Sequence, residues 1–382
     1  MIGSSDSSDV VIVGGGVIGC SIAYFLARAG VRVTLLERSH LAAGASGVAA
    51  GMLAPQVEAP FADPFFELAL HGRAEHAGLA ERLLDEVGLD VEYRATGILR
   101  VARTEAERTD LQRQQRWQSA RGLAAEWVES DDLGRREPLL GGVAGRLLAG
   151  GLWLPDEAQV RSPRLVQALA TAAAGHGARL LEGTWAIGLE AVGQRVTGVA
   201  TPTGVLAAET VVLAAGVWSP ELAGRAGLDV PVTPVKGQVL SLRALGKSPR
   251  RVIWSGECYL VPRPDGEILL GATEEEGNYD ARPTLAGLNR LTEAALEVVP
   301  AAGGFVVEGA WAGLRPAAPD RHPIVGWAPG MDGLMVATAH YRNGVLLGPL
   351  TGRLVADQIV SGTPAAEFAA FGPERFLTPN PT

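Results

Sequence analysis

The 382 residues predict an α/β protein of two intimate domains, one on a parallel sheet gathered from separated segments, the other on a mainly antiparallel sheet. Three observations carry that expectation. Short continuous apolar runs, of the kind buried on both faces of a parallel sheet, occur near 9–13, 31–36, 210–215 and 334–338. Between them lie alternating strands with turn signals, among them the hairpin tripeptide Pro264-Asp265-Gly266. The chain is long for one compact core, and 47% hydrophobic against 20% charged residues, with 49 glycines, describes a well-packed, loop-rich globular protein.

Taken in order, 9–37 read as a β-α-β unit. "DVVIV" is the strand, "GGGVIG" the turn, "CSIAYFLARAG" a helix stopped by Gly30, and "VRVTLLE" the second strand, ending on Glu37. The stretch "LAAGASGVAAGMLAP" is too small-residued to make a core of its own. Helical spacing of apolar residues predicts helices over 65–87 and 104–121, with "VEYRATGILRVA" between them as a strand pair. A helix follows at 163–175, then strand-like 178–192 and 195–216. Strands dominate 231–275, and a helix over roughly 284–299 precedes "GFVVEGAWAGLRP". The end, from 333 to 362, reads as strand, glycine turn and helix. There is no internal repeat. This layout assigns 9–85, 150–230 and 310–365 to the nucleotide-binding domain, 86–149 and 231–309 to the substrate domain, and 1–8 and 372–382 to flexible termini.

Composition excludes several roles. A net charge of −9 with no Lys/Arg block argues against nucleic acid. Cys20 and Cys258 lie far apart in no C-x-x-C pair, which suits a reduced cytoplasm and thiols packed as small hydrophobes. The start "MIGSSDSSD" has neither the basic nor the apolar region of a signal peptide, and no run of about 18 uncharged apolar residues predicts a membrane span. The six histidines show no metal-ligand spacing, and neither a G-x-S-x-G nor a cysteine-nucleophile motif occurs. His71 and His76 on their helix read as surface or packing residues.

Gly14, Gly16 and Gly19 form G-x-G-x-x-G after a strand and at the opening of a helix. The first makes the tight turn, the second lets the backbone approach a pyrophosphate, and the third lets helix and strand pack closely. Glu37, about 20 residues on, is placed to accept from ribose hydroxyls, and its charge disfavours a 2′-phosphate. The pattern alone does not separate FAD from NAD, although the second glycine-rich stretch at 44–51 favours a flavin buried along its length.

Several stretches together resemble the FAD-dependent amino-acid oxidases of the D-amino-acid-oxidase superfamily, the glycine oxidases above all. They are "DVVIVGGGVIG", "GASGVAAGMLAP", "VVLAAGVWSPEL", "CYLVPRPDGEILLGAT", "WAGLRPAAPD" and "HYRNGVLLGPLTGRLVADQI". The resemblance implies a Rossmann-type domain with non-covalent FAD, and a substrate domain whose antiparallel sheet meets the flavin ring. It places Val17, Ile18, Glu37 and Arg38 at the adenosine and pyrophosphate end, and Ala45, Ser46, Ala50, Gly51 and Met52 along the cofactor, with Met52 also reaching the substrate. Ala186 would meet the adenine. His340, Arg342, Asn343, Gly344, Val345 and Leu346 would wrap the pyrimidine side, with helix N–H groups aimed at the ring.

The same resemblance gives Arg315 the grip on a substrate carboxylate, a role suited to a planar guanidinium with two parallel donors, and Tyr259 and Arg342 would help enclose the substrate. Alternatives stay open: a structural salt bridge for Arg315, a flavin-loop tie for Arg342, ring packing for Tyr259. No catalytic acid or base is implied. On that resemblance the α-hydrogen would leave as hydride to flavin N5, the imine would hydrolyse to glyoxylate and an amine, and oxygen would yield hydrogen peroxide. Glu274 and Glu257 depart from the pattern, and read either as solvated loop groups or as a pocket adapted to a cationic amine or a larger N-substituted glycine. Glycine or sarcosine, as in thiamine-pathway enzymes, is the first expectation for substrate. Removal of a glycine unit from a larger N-carboxymethyl amino acid, a quinone- or carrier-linked D-amino-acid dehydrogenase and a non-enzymatic FAD-binding module are the rivals. Relatives of this kind self-associate, which implies a homo-oligomer.

Overall fold

A computed structural model describes residues 8–277 and 279–377. Two sheets dominate these residues. The first has the strand order Ile324–Trp327, Leu334–Thr338, Gly204–Leu213, Ser8–Val13, Val33–Leu36, Arg179–Leu181, and all its neighbours run parallel except the antiparallel edge strand Ile324–Trp327. All four apolar runs that the sequence assigns to a nucleotide-binding sheet therefore lie side by side. Val10 and Ile12 point into one core with the helices Val17–Arg28, Pro64–Val87, Ser162–Gly175 and Gly344–Ser361. Val11 and Val13 point into a second core, under the antiparallel strands Gly188–Val192 and Arg195–Thr201. That two-sided burial is why the strand reads as an unbroken apolar run.

The second sheet runs Glu275–Glu276, Thr233–Arg243, Glu267–Gly271, Tyr259–Pro262, Val252–Trp254, Ile98–Ala102, Gly150–Leu154, Glu126–Val128, with Val306–Ala317 along the other side of Thr233–Arg243. Its pairs are antiparallel apart from Val252–Trp254 with Ile98–Ala102. The helix Leu285–Val298 covers one face through Leu291, Ala294 and Val298 against Leu240, Leu242 and Leu270. The opposite face, with Val239, Trp254 and Val261, turns toward the nucleotide-binding segments.

The structure corrects several expectations. Gly150–Leu154 and Val306–Ala317 hydrogen-bond into the antiparallel sheet, so domain boundaries at 150 and 310 give to the nucleotide-binding side one strand of the other sheet and cut a second in two. Of the strand pair over 91–102, only Ile98–Ala102 forms. Upstream a single bridge joins Arg94 to Gln159, because the backbone turns at Gly97 with φ 72° against the Trp153 ring. Residues 372–377 are no loose tail: Arg375 bonds Asp320 at 2.8 Å and the carbonyls of Phe371 and Pro323, and Pro373 is buried. The remaining expected tails, 1–7 and 378–382, lie outside the described residues. Among the described residues, no helix is long and apolar enough to cross a membrane.

His76 is a packing residue, as its helical position suggests. Its ring Nε2 lies 3.1 Å from the carbonyls of both Val345 and Leu346, so that nitrogen carries a proton and donates. Burial outweighs these two acceptors and lowers its pKa from 6.5 to about 4. The unfolded chain thus binds a proton near pH 6.5 that the folded chain refuses until about 4, so this contribution to stability is complete above pH 6.5 and is lost as pH falls toward 4. Its full size is on the order of 3 kcal/mol. His76→Gln keeps a donor and removes the titration, so the fall in urea midpoint of the holoprotein between pH 7 and pH 5 should shrink. An unchanged fall would show that other groups carry it.

Candidate functional site

Between the sheets lies a cavity of about 1150 Å³. Its nucleotide side begins at the first turn. A side chain on Gly19 would strike the Gly14 carbonyl, and one on Gly14, which sits at φ 118°, would strike the Ala214 carbonyl. Both close approaches are what the spaced glycines are for. Glu37 accepts from Gly15 N–H at 2.9 Å and Ser39 N–H at 2.8 Å, which fixes its carboxylate at the cavity wall. The Ser46 hydroxyl accepts from Val17 N–H at 3.0 Å and so ties the short helix Ala45–Val48 to the glycine turn. Buried Arg263 bonds the Ala50 and Val160 carbonyls and so staples the second glycine-rich stretch to the antiparallel sheet.

Gly14, Gly16, Val17, Ile18, Glu37, Arg38, Ala45, Ser46, Ala50, Gly51, Met52 and Ala186 all line the cavity. So do His340, Arg342, Asn343, Gly344 and Val345, where the Gly344–Ser361 helix begins. Two of the expected residues do not: Gly19 stands behind the turn, and Leu346 points into the core while its carbonyl receives His76. Arg38 stacks 3.7 Å above the Trp218 ring, a contact with no sequence signal.

The cavity suits a flavin dinucleotide. The glycine turn supplies the pyrophosphate cradle, and Glu37 stands ready for a ribose. On the far side His340 is buried, with Nε2 3.1 Å from the Thr351 hydroxyl and Nδ1 without a partner among the described residues. Burial lowers its pKa to about 3, so the ring is neutral and offers a polar edge at the wall.

The substrate side is built on a pair of facing glycines. Gly237 pairs with Gly313, and Val235 with Arg315, so all four share one face of the sheet. Glycine inside a strand marks a close approach. Here the Arg315 guanidinium lies over Gly237, and Val48 fills the space over Gly313. Arg315 donates to the Thr273 carbonyl at 3.0 Å and has no carboxylate partner among the described residues. Thr273 is itself held, accepting from Gln238 N–H at 3.0 Å and donating to Glu275 at 2.9 Å, while Glu275 meets buried Lys236 at 3.0 Å.

Tyr259 lies against Gly271, where any side chain would enter its ring, and its centroid is 5.7 Å from that of Trp254. Burial raises its pKa, and the Arg315 and Arg342 guanidiniums only partly offset that. Arg342 is engaged: it meets Glu58 at 3.1 Å and Glu274 at 3.6 Å, and Glu58 is the main reason its pKa is raised. Glu274 also accepts from Arg321 at 3.0 Å and from the Tyr341 hydroxyl. Burial would raise the Glu274 pKa, but Tyr341, Arg342, Arg315 and Arg321 together hold it low, so it is a carboxylate. Glu257 instead pairs with Arg103 at 3.0 Å on the rim. Glu58, Gly237 and Thr273 escape sequence reading. Only Gly237, a glycine amid strand residues, carried a signal.

This fold and dinucleotide cradle define a class. The chain matches the family model described as FAD dependent oxidoreductase over residues 9–358 and belongs to that family, so its cofactor is FAD. It is 38% identical over 372 residues to a glycine oxidase of Geobacillus kaustophilus, covering 97% of each chain. A crystal structure of glycine oxidase from that organism superposes with a TM-score of 0.93 at 37% identity, covering 98% of this chain and 100% of the other. A bifunctional protein ThiO/ThiG of Synechocystis sp. is 36% identical, over 97% of this chain and 54% of its own length. With these relatives, the chain falls among flavin-dependent amine oxidases acting on a CH–NH bond.

Proposed function

We propose that this protein oxidises glycine or a small N-substituted glycine, with oxygen as the electron acceptor. The observation that carries the reading is Arg315, a fixed guanidinium without a carboxylate partner among the described residues, laid over a glycine floor beside Tyr259. A guanidinium so exposed to the cavity grips a carboxylate with two parallel bonds and thereby fixes the adjoining α-carbon. Tyr259 is fixed by its place in the strand, and its hydroxyl, without a hydrogen-bond partner among the described residues, is left for the bound substrate. FAD held in the cradle would supply a two-electron acceptor for the hydride leaving that carbon, with oxygen as the final oxidant and hydrogen peroxide as its product. The imine then hydrolyses to glyoxylate and the amine. The residues bind and orient. No side chain is needed as acid or base. His340, held neutral and buried, serves the cofactor pocket.

Similarity to glycine oxidases over nearly the full length supports the same substrate class. The test mixes the purified yellow protein anaerobically with glycine, sarcosine, D-alanine and a long-chain N-alkylglycine, follows flavin bleaching, then admits air and assays peroxide. Bleaching by glycine or sarcosine with prompt recolouring and peroxide is expected. Bleaching that recolours only with a quinone or carrier would replace the oxidase by a dehydrogenase. No bleaching by any amine would defeat the reading.

A further inference from the structure

The cavity holds more than one guanidinium, yet they differ in what they have left to offer. Arg342 forms ion pairs with two carboxylates, Glu58 at 3.1 Å and Glu274 at 3.6 Å, whereas Arg315 forms none among the described residues and acts on Glu274 only at longer range. Arg38 is stacked on Trp218 at the nucleotide end, and Arg290 belongs to the helix covering the opposite face of the sheet. On the substrate face, then, one guanidinium is left outside any ion pair among the described residues.

Both acidic partners are held in place. Glu58 ends the short helix Pro55–Glu58, whose Gln56 is fully buried. Gln56 donates to Gln118 at 3.2 Å and to the Ala124 carbonyl at 3.1 Å, and accepts from Arg73 at 2.8 Å. Its own N–H reaches buried Glu157 at 2.9 Å. The Val57 carbonyl accepts from Arg100 at 2.6 Å. A turn fixed at so many points cannot swing Glu58 away. Glu274 is fixed in turn by Arg321 and Tyr341.

We infer that Glu58 and Glu274, by neutralising Arg342, limit the pocket to substrates with a single carboxylate and reject N-substituted glycines whose substituent carries a second. The inference rests on the reading of Arg315 as the carboxylate grip. A second carboxylate placed beyond the substrate nitrogen meets Arg342 already paired and two like charges beside it. Juxtaposed like charges cost several kcal/mol in a partly desolvated site. A neutral substituent of the same shape meets no such opposition. Arg342 is on this account a wall of the pocket whose charge has been cancelled, and Glu58 and Glu274 are specificity-determining residues.

The test compares iminodiacetate with its monoamide, N-(carbamoylmethyl)glycine, which replaces one carboxylate by an amide of equal size. With the holoprotein, kcat/KM for the monoamide should exceed that for iminodiacetate by about 30-fold or more. Glu58→Gln should narrow this ratio about tenfold, while Glu58→Asp, which keeps the charge, should retain most of it. A second readout needs no turnover: oxydiacetate and its monoamide, ethers that cannot be oxidised as amines, are titrated by their perturbation of flavin absorbance, and the monoamide should bind more tightly. Equal kcat/KM and equal Kd for each pair overturn the inference, as does a ratio that Glu58→Gln leaves unmoved. If no glycine derivative bleaches the flavin, the functional reading has failed, and the ether titration still decides the charge preference by itself.

Discussion

Arg315→Ala is expected to leave the protein folded and yellow while lowering kcat/KM for its preferred amine by about 10³-fold, the loss typical of removing one partner from a buried charge pair. The argument has two parts. Arg315 has no ion pair among the described residues, so its removal orphans no carboxylate, and the Thr273 carbonyl loses a single hydrogen bond. The loss therefore falls on substrate binding and alignment, and little of it on the fold. Gly237→Ala sharpens the same prediction. The added methyl would occupy the place of the Arg315 guanidinium, which is the far end of a flexible side chain and can shift at small cost to the fold. The charge is retained but displaced, and a displacement near 1 Å costs about 10²-fold in rate. Stopped-flow flavin bleaching together with the absorbance ratio for bound FAD separates these effects. If either variant bleached at the native rate, the carboxylate grip would be assigned to the wrong residue.

The other large effect belongs to the nucleotide turn. In Gly19→Val the branched side chain would be driven into the Gly14 carbonyl, which as backbone has nowhere to yield, and against the Ile12 side chain. The strand Ser8–Val13 and the helix Val17–Arg28 form the centre of the larger core, so separating them disturbs packing as well as the cradle. A variant purified without flavin and destabilised by about 3 kcal/mol or more in urea is expected. A yellow protein of native stability would mean that the turn tolerates a side chain and that the spacing has some other cause.

Where the governing interactions are local, the sequence was sufficient. The glycine turn, the acid at the end of the second strand and the buried strands each show their pattern within a short window, even where the partner is remote, as Leu213 is from Val13. Helices followed the same rule. Pro64–Val87 and Leu285–Val298 stand within a residue or so of their expected bounds, because an apolar stripe at helical spacing must bury itself against something. Strand partnership is a different matter. Nothing in the composition of Gly150–Leu154 says which sheet it completes, and the segment over 91–97 alternates like a strand yet forms one bridge and scattered backbone bonds with 157–161 in place of a sheet pairing.

The substrate side divides in the same way. Arg315 stands out in the sequence as a cation amid apolar residues, and so asks for an anion. Arg342 looks equally available there, but folding brings Glu58 from an early turn and Glu274 from the antiparallel sheet against it. Glu274 likewise reads as a spare acid until Arg321 and Tyr341 are seen to hold it. The sequence by itself determined the cofactor cradle and the class of fold, and singled out two cations, Arg315 and Arg342, for the substrate side. Only the tertiary structure decided which cation stands outside an ion pair among the described residues, because a charge's availability depends on the distances to all other charges, and those distances are set by chain segments remote from one another.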